Sequence, residues 1–328
     1  MHKLKKNGKR LLKLLGPAFF MFLFFRVVDP QATVSALKNI RPDIALLSVL
    51  LFPVVNAALT FRWWLICRRL AIGTSFKGLF QIYYISWFLS ALPFVGISPL
   101  AKLIYLKDND QPTGQTAVSI ILDKLFDIIG LMAFGLFGLV YFPHHLFENL
   151  QIWFYLGGIV LLVLVIGMFG GRIWAAFMAL LKRYANRRLQ KLGDRFEKDM
   201  VAFWSGFNLA TFALILGISI VIGLLRSLVL YTLAIALGLD LSFGLIVACR
   251  ALIGIVNVIP ISISGLGTRD AILLMTLPMA GVSKEAAVAL GFLAFLWTIG
   301  SKFSGVVFWL KRPLPLVSIN AMKDKISP

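Results

Sequence analysis

Asp123, Lys124 and Asp127 fall within the apolar run Thr116–Phe142, and the two carboxylates, four residues apart, share one face of the helix that this run predicts. A charge at the centre of a bilayer costs about 2.5–3.5 kcal/mol on insertion scales, so these groups are expected to face inward against cations or water. Candidate partners are Lys102, Arg226, Arg250, Arg269 and Lys302, each within or beside an apolar run. Asn257, one turn before Pro260, adds a neutral hydrogen-bonding group. Such a set can do one of two things. It can tie helices together through ion pairs that transport nothing, or it can bind an anion and carry protons, as intramembrane ionisable groups commonly do.

Other chemistries lack their residues. No GxxxxGK[ST] phosphate loop, HExxH or GxSxG occurs, so the sequence offers no catalytic residue set and any driving force is expected to come from gradients. Cys67 and Cys249 stand far apart in apolar surroundings and read as buried thiols. His144 and His145, in a short loop, are not set at metal-ligand spacing with other donors, so no metal and no cofactor are expected.

The elements that must position these residues are membrane helices. Of the 328 residues 59% are hydrophobic and 14% charged, with a mean hydropathy of +0.89, against roughly 25% charged in a soluble domain. At roughly 20 apolar residues per crossing, no stretch is left for a soluble catalytic domain. The net charge of +19 is first a topology signal, because Lys and Arg collect in cytoplasmic loops, and nucleic acid is not expected as a partner.

The basic start and apolar run of residues 1–25 resemble a signal peptide, with Val34-Ser35-Ala36 as a possible cleavage site; the expectation is an uncleaved signal anchor. Further apolar runs cover about 44–66, 78–97, 116–142, 151–170, 206–237, 243–263 and 286–310. Residues 1–13, the basic loop 171–204 and the tail with Lys311, Arg312, Lys323 and Lys325 should be cytoplasmic, and the loop 143–150 outside. Arg62, Arg68 and Arg69 read as interfacial side chains beside Trp63 and Trp64. With Arg68, Arg69 and Lys77 before the run 78–97 and Lys102 and Lys107 after it, both of its ends face one compartment.

The run 78–97 is therefore expected to be a re-entrant hairpin, turning at Pro93 and Gly96, and the stretch 243–270 a second one, entering from the opposite face and broken at Pro260, Gly265 and Gly267. Non-helical backbone at that depth is tolerable only inside protein or along a wet cavity. An offset of 167 residues pairs Ser75-Phe76 with Ser242-Phe243, Pro93 with Pro260, Lys102 with Arg269 and Leu106 with Leu273. The expected fold is thus an all-α polytopic membrane protein: about six transmembrane helices plus two re-entrant or broken helical hairpins, arranged as inverted repeats. As one membrane domain over 1–328, it divides into a first repeat half 14–142 with its hairpin at about 78–101, and a segment 143–204 comprising an outer loop, a span and the basic connector. A second half 205–310, with its hairpin at about 243–270, and a tail 311–328 complete it.

Three stretches, in this order and spacing, resemble the lysylphosphatidylglycerol synthase transmembrane-region family of flippase-like membrane proteins. They are Leu-Pro-Phe-Val-Gly-Ile-Ser-Pro-Leu-Ala-Lys (92–102), Leu122-Asp123-Lys124-Leu125-Phe126-Asp127, and the stretch from Ile259-Pro260 to Thr268-Arg269-Asp270. The family usually has arginine where this chain has Lys102 and Lys124, and glutamate where it has Asp270, so charge type is kept. Replacing arginine by lysine weakens bidentate phosphate recognition, which makes Arg269 the safer phosphate ligand. The soluble aminoacyl-transfer domain of synthase members has no counterpart here. The resemblance implies a transporter for an anionic lipid or lipid-linked phosphate, with anionic membrane lipids as partners, in a bacterial or archaeal cytoplasmic membrane with both termini inside. On this reading Arg269, Lys102, Arg250, Arg226 and Asn257 contact substrate, while Asp123, Asp127, Lys124, Asp270 and Lys302 pair with the cations or carry protons. The alternatives are a membrane-embedded enzyme or accessory in lipid-linked sugar or aminoacyl-lipid metabolism, with Asp123 and Asp127 as its acid and base, and a scaffold. The oligomeric state is left open.

Overall fold

A computed structural model describes residues 40–91, 97–107, 111–141, 209–257 and 267–313, with the isolated positions 35, 37, 38, 109 and 198. The described residues are helical, without strands. In chain order they form α1 (Pro42–Arg69), α2 (Phe76–Leu89), α3 (Ile97–Lys107) and α4 (Thr113–Tyr141), then α5 (Leu209–Ala236), α6 (Phe243–Asn257), α7 (Thr268–Thr276), α8 (Lys284–Phe303) and α9 (Val306–Lys311). A 3-10 turn, Leu277–Ala280, follows α7. The expected span 151–170, the N-terminal anchor, the loops 143–150 and 171–204 and most of the tail lie outside the described residues, as do His144 and His145.

Length sorts these helices into two kinds. Among the described residues, Pro42–Arg69, Leu209–Ala236 and Lys284–Lys311 are long and apolar enough to cross a membrane. The 29-residue α4 rises about 43 Å at 1.5 Å per residue, against a hydrocarbon core of about 30 Å. By the same rise α2 and α6, with 14 and 15 residues, reach only about 21–23 Å, and α3 and α7, with 11 and 9, about 14–17 Å. None of these four can cross alone.

The short helices pack in pairs, α2 against α3 and α6 against α7. At the first tip Ser86 Oγ donates to the Ser98 carbonyl at 2.8 Å and lies 2.9 Å from Ser98 Oγ. In the second pair Cys249 Sγ meets Thr276 Oγ1 at 3.2 Å. These contacts fold each pair back on itself, as the hairpin reading requires. The breaks Pro93, Gly96, Pro260 and Gly265 lie outside the described residues. Gly267 is described, and its φ of +89° is a left-handed conformation open to glycine, directly before α7. The returning helices run on to Lys107 and Thr276, beyond the expected 101 and 270, because Ile104–Leu106 in the first and Leu273, Thr276 and Leu277 at the end of the second continue to be buried.

The order long, short, short, long occurs twice, and the 167-residue offset carries α1 exactly onto α5 and Phe76 onto Phe243. The described residues divide into two compact units, described separately here. The α2–α3 unit holds 56–91, 97–107, 111–127, 209–219 and 302–313; the α6–α7 unit holds 40–55, 128–141, 220–257 and 267–301. In the first repeat the start of α1 belongs to the α6–α7 unit and its end to the α2–α3 unit, whereas for α5 the order is reversed.

Inside the α2–α3 unit, α1 buries Leu59, Trp63 and Ile66, and α4 buries Thr116, Ser119, Leu122, Asp123 and Phe126, both at helical spacing. A Cβ on Gly305, between α8 and α9, would strike the Tyr84 carbonyl oxygen and the Phe88 side chain. The glycine therefore lets α9 seat on α2, with Phe308 against Phe80 and Tyr84. In the α6–α7 unit Trp297 Nε1 donates to the Ser48 carbonyl at 3.0 Å and its ring packs edge-on to Phe52. Phe134, Val247 and Ala251 form a small apolar cluster there, with Gly254 admitting Leu131 and Gly223 admitting Phe134.

The tip contact of the first hairpin predicts cross-linking. In a background with Cys67 and Cys249 replaced by alanine, Ser86→Cys with Ser98→Cys should form a disulfide on mild oxidation, read as a gel-mobility shift and by mass. In one continuous helix those positions would stand about 18 Å apart, beyond the reach of a disulfide, and no cross-link would form.

Candidate functional site: a buried charge network and its repeat-related counterpart

The α2–α3 unit brings together charges from three helices and a hydroxyl from a fourth. Arg62 on α1, 1% exposed, donates from Nε and Nη2 to Asp123 Oδ1 at 3.1 and 2.9 Å, and from Nη2 to the Asp123 carbonyl at 3.2 Å. Its terminal nitrogens also reach Asp127 Oδ1 at 3.4 Å, and Nη1 donates to Ser219 Oγ on α5 at 3.2 Å. Lys102, on the returning helix of the hairpin, donates to Asp123 Oδ2 at 3.5 Å. Its ammonium sits 4.3 Å from the ring centre of Trp63 and 4.4 Å from that of Tyr83, close enough for both π-faces to share its charge. Trp63 is in turn fixed by donating from Nε1 to Ser119 Oγ at 3.2 Å.

Two cations thus face two carboxylates, so the cluster carries no net charge. Desolvating ions in an apolar interior is offset only when attraction and hydrogen bonds are nearly complete, and here all three guanidinium nitrogens are engaged. Asp123 is buried, while the side chain of Asp127 keeps 23% exposure. Asp127 is the member of the pair open to exchange with its surroundings.

Two expectations are corrected. Arg62 is no interfacial side chain: it lies on the buried face of α1, three residues after Leu59 and four before Ile66, whereas Arg68 and Arg69 are exposed. It supplies the main cation for Asp123 and Asp127, a role assigned from sequence to other residues. Lys124 does not face inward: its side chain is 70% exposed and reaches Asp127 Oδ2 only at 3.6 Å, since the residue next to a buried helical position points about 100° away. Asp123 and Asp127 do share one face and one partner, as their spacing predicts. Lys302, 5% exposed, lies 5.0 Å from the Trp87 ring centre in the same unit.

The α6–α7 unit contains the counterpart of Lys102. Arg269, 7% exposed, stands on the returning helix of the second hairpin and pairs through Nη2 with Asp270 Oδ1 at 3.4 Å. Its Nε has no hydrogen-bond partner among the described residues. Asp270, fully buried, also accepts from the Gly267 backbone N–H at 2.8 Å, so it caps α7 as well as balancing the arginine. Gly291 on α8 faces it: a Cβ there would overlap Asp270 Oδ1. Arg226 and Arg250, both half-buried, belong to this unit, and Asn257 is the last residue of α6.

The two repeats solve one electrostatic problem in two ways. At the 167-residue offset Lys102 corresponds to Arg269, but Asp123 corresponds to Leu290 and Leu103 to Asp270. The carboxylate has moved from the long helix after the hairpin to the hairpin helix itself. Gly291, next to Leu290, opens the space that the moved carboxylate fills.

These contacts set an order of sensitivity. Arg62→Ala leaves Asp123 buried without its main partner and should cost about 3–5 kcal/mol of stability. Lys124→Gln should stay within about 0.5 kcal/mol. Gly291→Ala drives a methyl into Asp270 and should cost about 1–3 kcal/mol. Thermal unfolding of the three purified variants in detergent tests the ranking; equal stabilities for Arg62→Ala and Lys124→Gln would contradict it.

Comparison with known proteins agrees with this architecture. A UPF0104 membrane protein of Methanothermobacter thermautotrophicus is 24% identical over 286 residues, covering 80% of this chain and 83% of that protein. No solved structure matches. Residues 10–300 match the family described as the lysylphosphatidylglycerol synthase TM region, and with most of its length so matched, this integral membrane chain belongs to that family.

Proposed function

We propose that the protein is a transporter, flippase-like rather than enzymatic, that moves an anionic lipid or lipid-linked phosphate across the bilayer. One observation carries this reading: a buried cation stands at the equivalent position of each repeat, Lys102 and Arg269, on the returning arm of a hairpin too short to cross the membrane. Interrupted helices in inverted repeats are where transporters place polar substrate groups. A phosphate head group would exchange its water for these cations while its acyl chains stay in lipid. Asp123 and Asp270 balance the cations when no phosphate is present, which spares the resting protein an uncompensated buried charge.

Asp127, partly exposed and held by Arg62, is suited to passing a proton or to releasing Arg62 as substrate enters. Moving one negative charge outward across an inside-negative membrane gains about 2.3 kcal/mol per 100 mV, and inward movement is opposed equally. Export of an anionic lipid therefore runs with the potential, while import requires coupled protons. The loop charges support cytoplasmic termini. The enzyme reading needs Asp123 and Asp127 as acid and base; Asp123 is buried and bonded to both Arg62 and Lys102, which favours the transport reading over it.

Reconstituted protein should translocate labelled phosphatidylglycerol, with fluorescence quenching from one leaflet as the readout. Loss of one charge-assisted phosphate contact is worth about 1.5–3 kcal/mol, so Lys102→Gln and Arg269→Gln should each slow translocation by roughly tenfold or more, and Lys124→Gln should leave it unchanged. Wild-type rates in both cation variants, with folding intact, would refute the assignment. Product formation from a lipid-linked substrate by the purified protein would favour the enzyme instead.

A further inference from the structure

A second basic site lies in the α2–α3 unit, away from the buried network. The last turn of α1 and the first turns of α5 enclose a groove of about 260 Å³ lined by Leu65, Arg68, Arg69, Thr211, Leu214 and Ile215. Its chemistry is divided, with two adjacent guanidinium groups and a hydroxyl beside aliphatic side chains, and no acidic residue among the described residues of its lining. Both arginines are held by neighbours. Arg69 Nη2 donates to Thr211 Oγ1 at 2.8 Å, and the Arg68 guanidinium stacks over the Trp64 ring at 4.8 Å.

We infer that this groove binds the phosphate of an anionic phospholipid, with the first part of an acyl chain against Leu65, Leu214 and Ile215. Position favours a lipid over a free anion. The groove sits at the end of a 28-residue apolar helix, beside a tryptophan, where phosphates and aromatic side chains meet at the membrane surface. Charge complementarity points the same way, since guanidinium forks match phosphate oxygens and two of them compensate one phosphodiester. Size fixes how much of the lipid is held. Pockets that engulf a whole drug-sized ligand measure about 300–1,000 Å³, so a groove of about 260 Å³ takes the phosphate and glycerol region and leaves the chains along the helices. This binding needs no translocation and does not rest on the transport reading.

Native mass spectrometry of the full chain, released from nanodiscs of phosphatidylcholine with a minor share of phosphatidylglycerol, tests the site by counting tightly retained phosphatidylglycerol. The wild type should retain one more such lipid than the variant Arg68→Gln/Arg69→Gln, whose affinity at this site should fall by roughly tenfold to thirtyfold if each surface cation contributes its usual share. Leu214→Trp fills the groove while keeping both charges and should lose the same lipid, which decides the matter even if the double variant folds poorly. Lys284→Gln, an exposed basic change in the other unit, should retain it. Retention unchanged in the double variant or in Leu214→Trp, at unaltered unfolding temperature, would overturn the proposal. So would displacement of the lipid by millimolar inorganic phosphate, which would mark an aqueous anion site instead.

Discussion

The requirement that a charge in an apolar interior be fully partnered governs this molecule. Arg62 meets it for two carboxylates at once, and in doing so fixes the rotation of α1, α4 and α5 relative to one another within the α2–α3 unit. Hydrophobic contact between membrane helices is nearly indifferent to rotation, because lipid tails are as apolar as leucine. Hydrogen bonds to a guanidinium are not indifferent. A turn of α1 or α4 by one residue would strand Asp123, and a turn of α5 would take Ser219 from Arg62 Nη1; those penalties give a unique arrangement to surfaces that packing alone would define loosely.

The hairpins depend on the same constraint from the opposite direction. A helix that stops within the apolar layer exposes backbone groups that lipid cannot satisfy, and each returning arm adds a cation to that cost. Lys102 is accommodated by Trp63, Tyr83 and Asp123, and Arg269 by the residue that follows it, which also caps the arm. The shift of the carboxylate between repeats, together with the glycine that makes room for it, shows that the balance of charge has been kept more strictly than the residue supplying it.

Much of this was legible in the sequence because it rested on punctuation and periodicity. The short helices end and begin on either side of the proline- and glycine-bearing stretches 92–96 and 258–266, which lie outside the described residues, the 167-residue offset anticipated the repeated order of helices, and the i, i+4 aspartates shared a face as expected. Arg62 escaped because it was read with its neighbours in sequence, Trp63, Trp64, Arg68 and Arg69. Its spacing from Leu59 and Ile66 carried the right signal, since three and four residues along a helix restore the same direction. Lys124 was misplaced by the converse error of treating one charged cluster as having one orientation. The cap role of Asp270 and its fit against Gly291 depend on residues brought together from different helices, and no local pattern encodes them.

The unequal grips on the two cations have a consequence for any anion that visits both. Lys102 is braced by two rings and a carboxylate shared with a saturated arginine, whereas Arg269 has, among the described residues, a single neighbouring acid and an idle nitrogen. The second position therefore surrenders less when a visitor arrives, and would be occupied at lower concentration. On the transport reading, such lopsidedness would set where a passenger dwells. It would leave the final balance between the leaflets to the membrane potential and any coupled protons, since binding strength at a way station alters rates and not the end point.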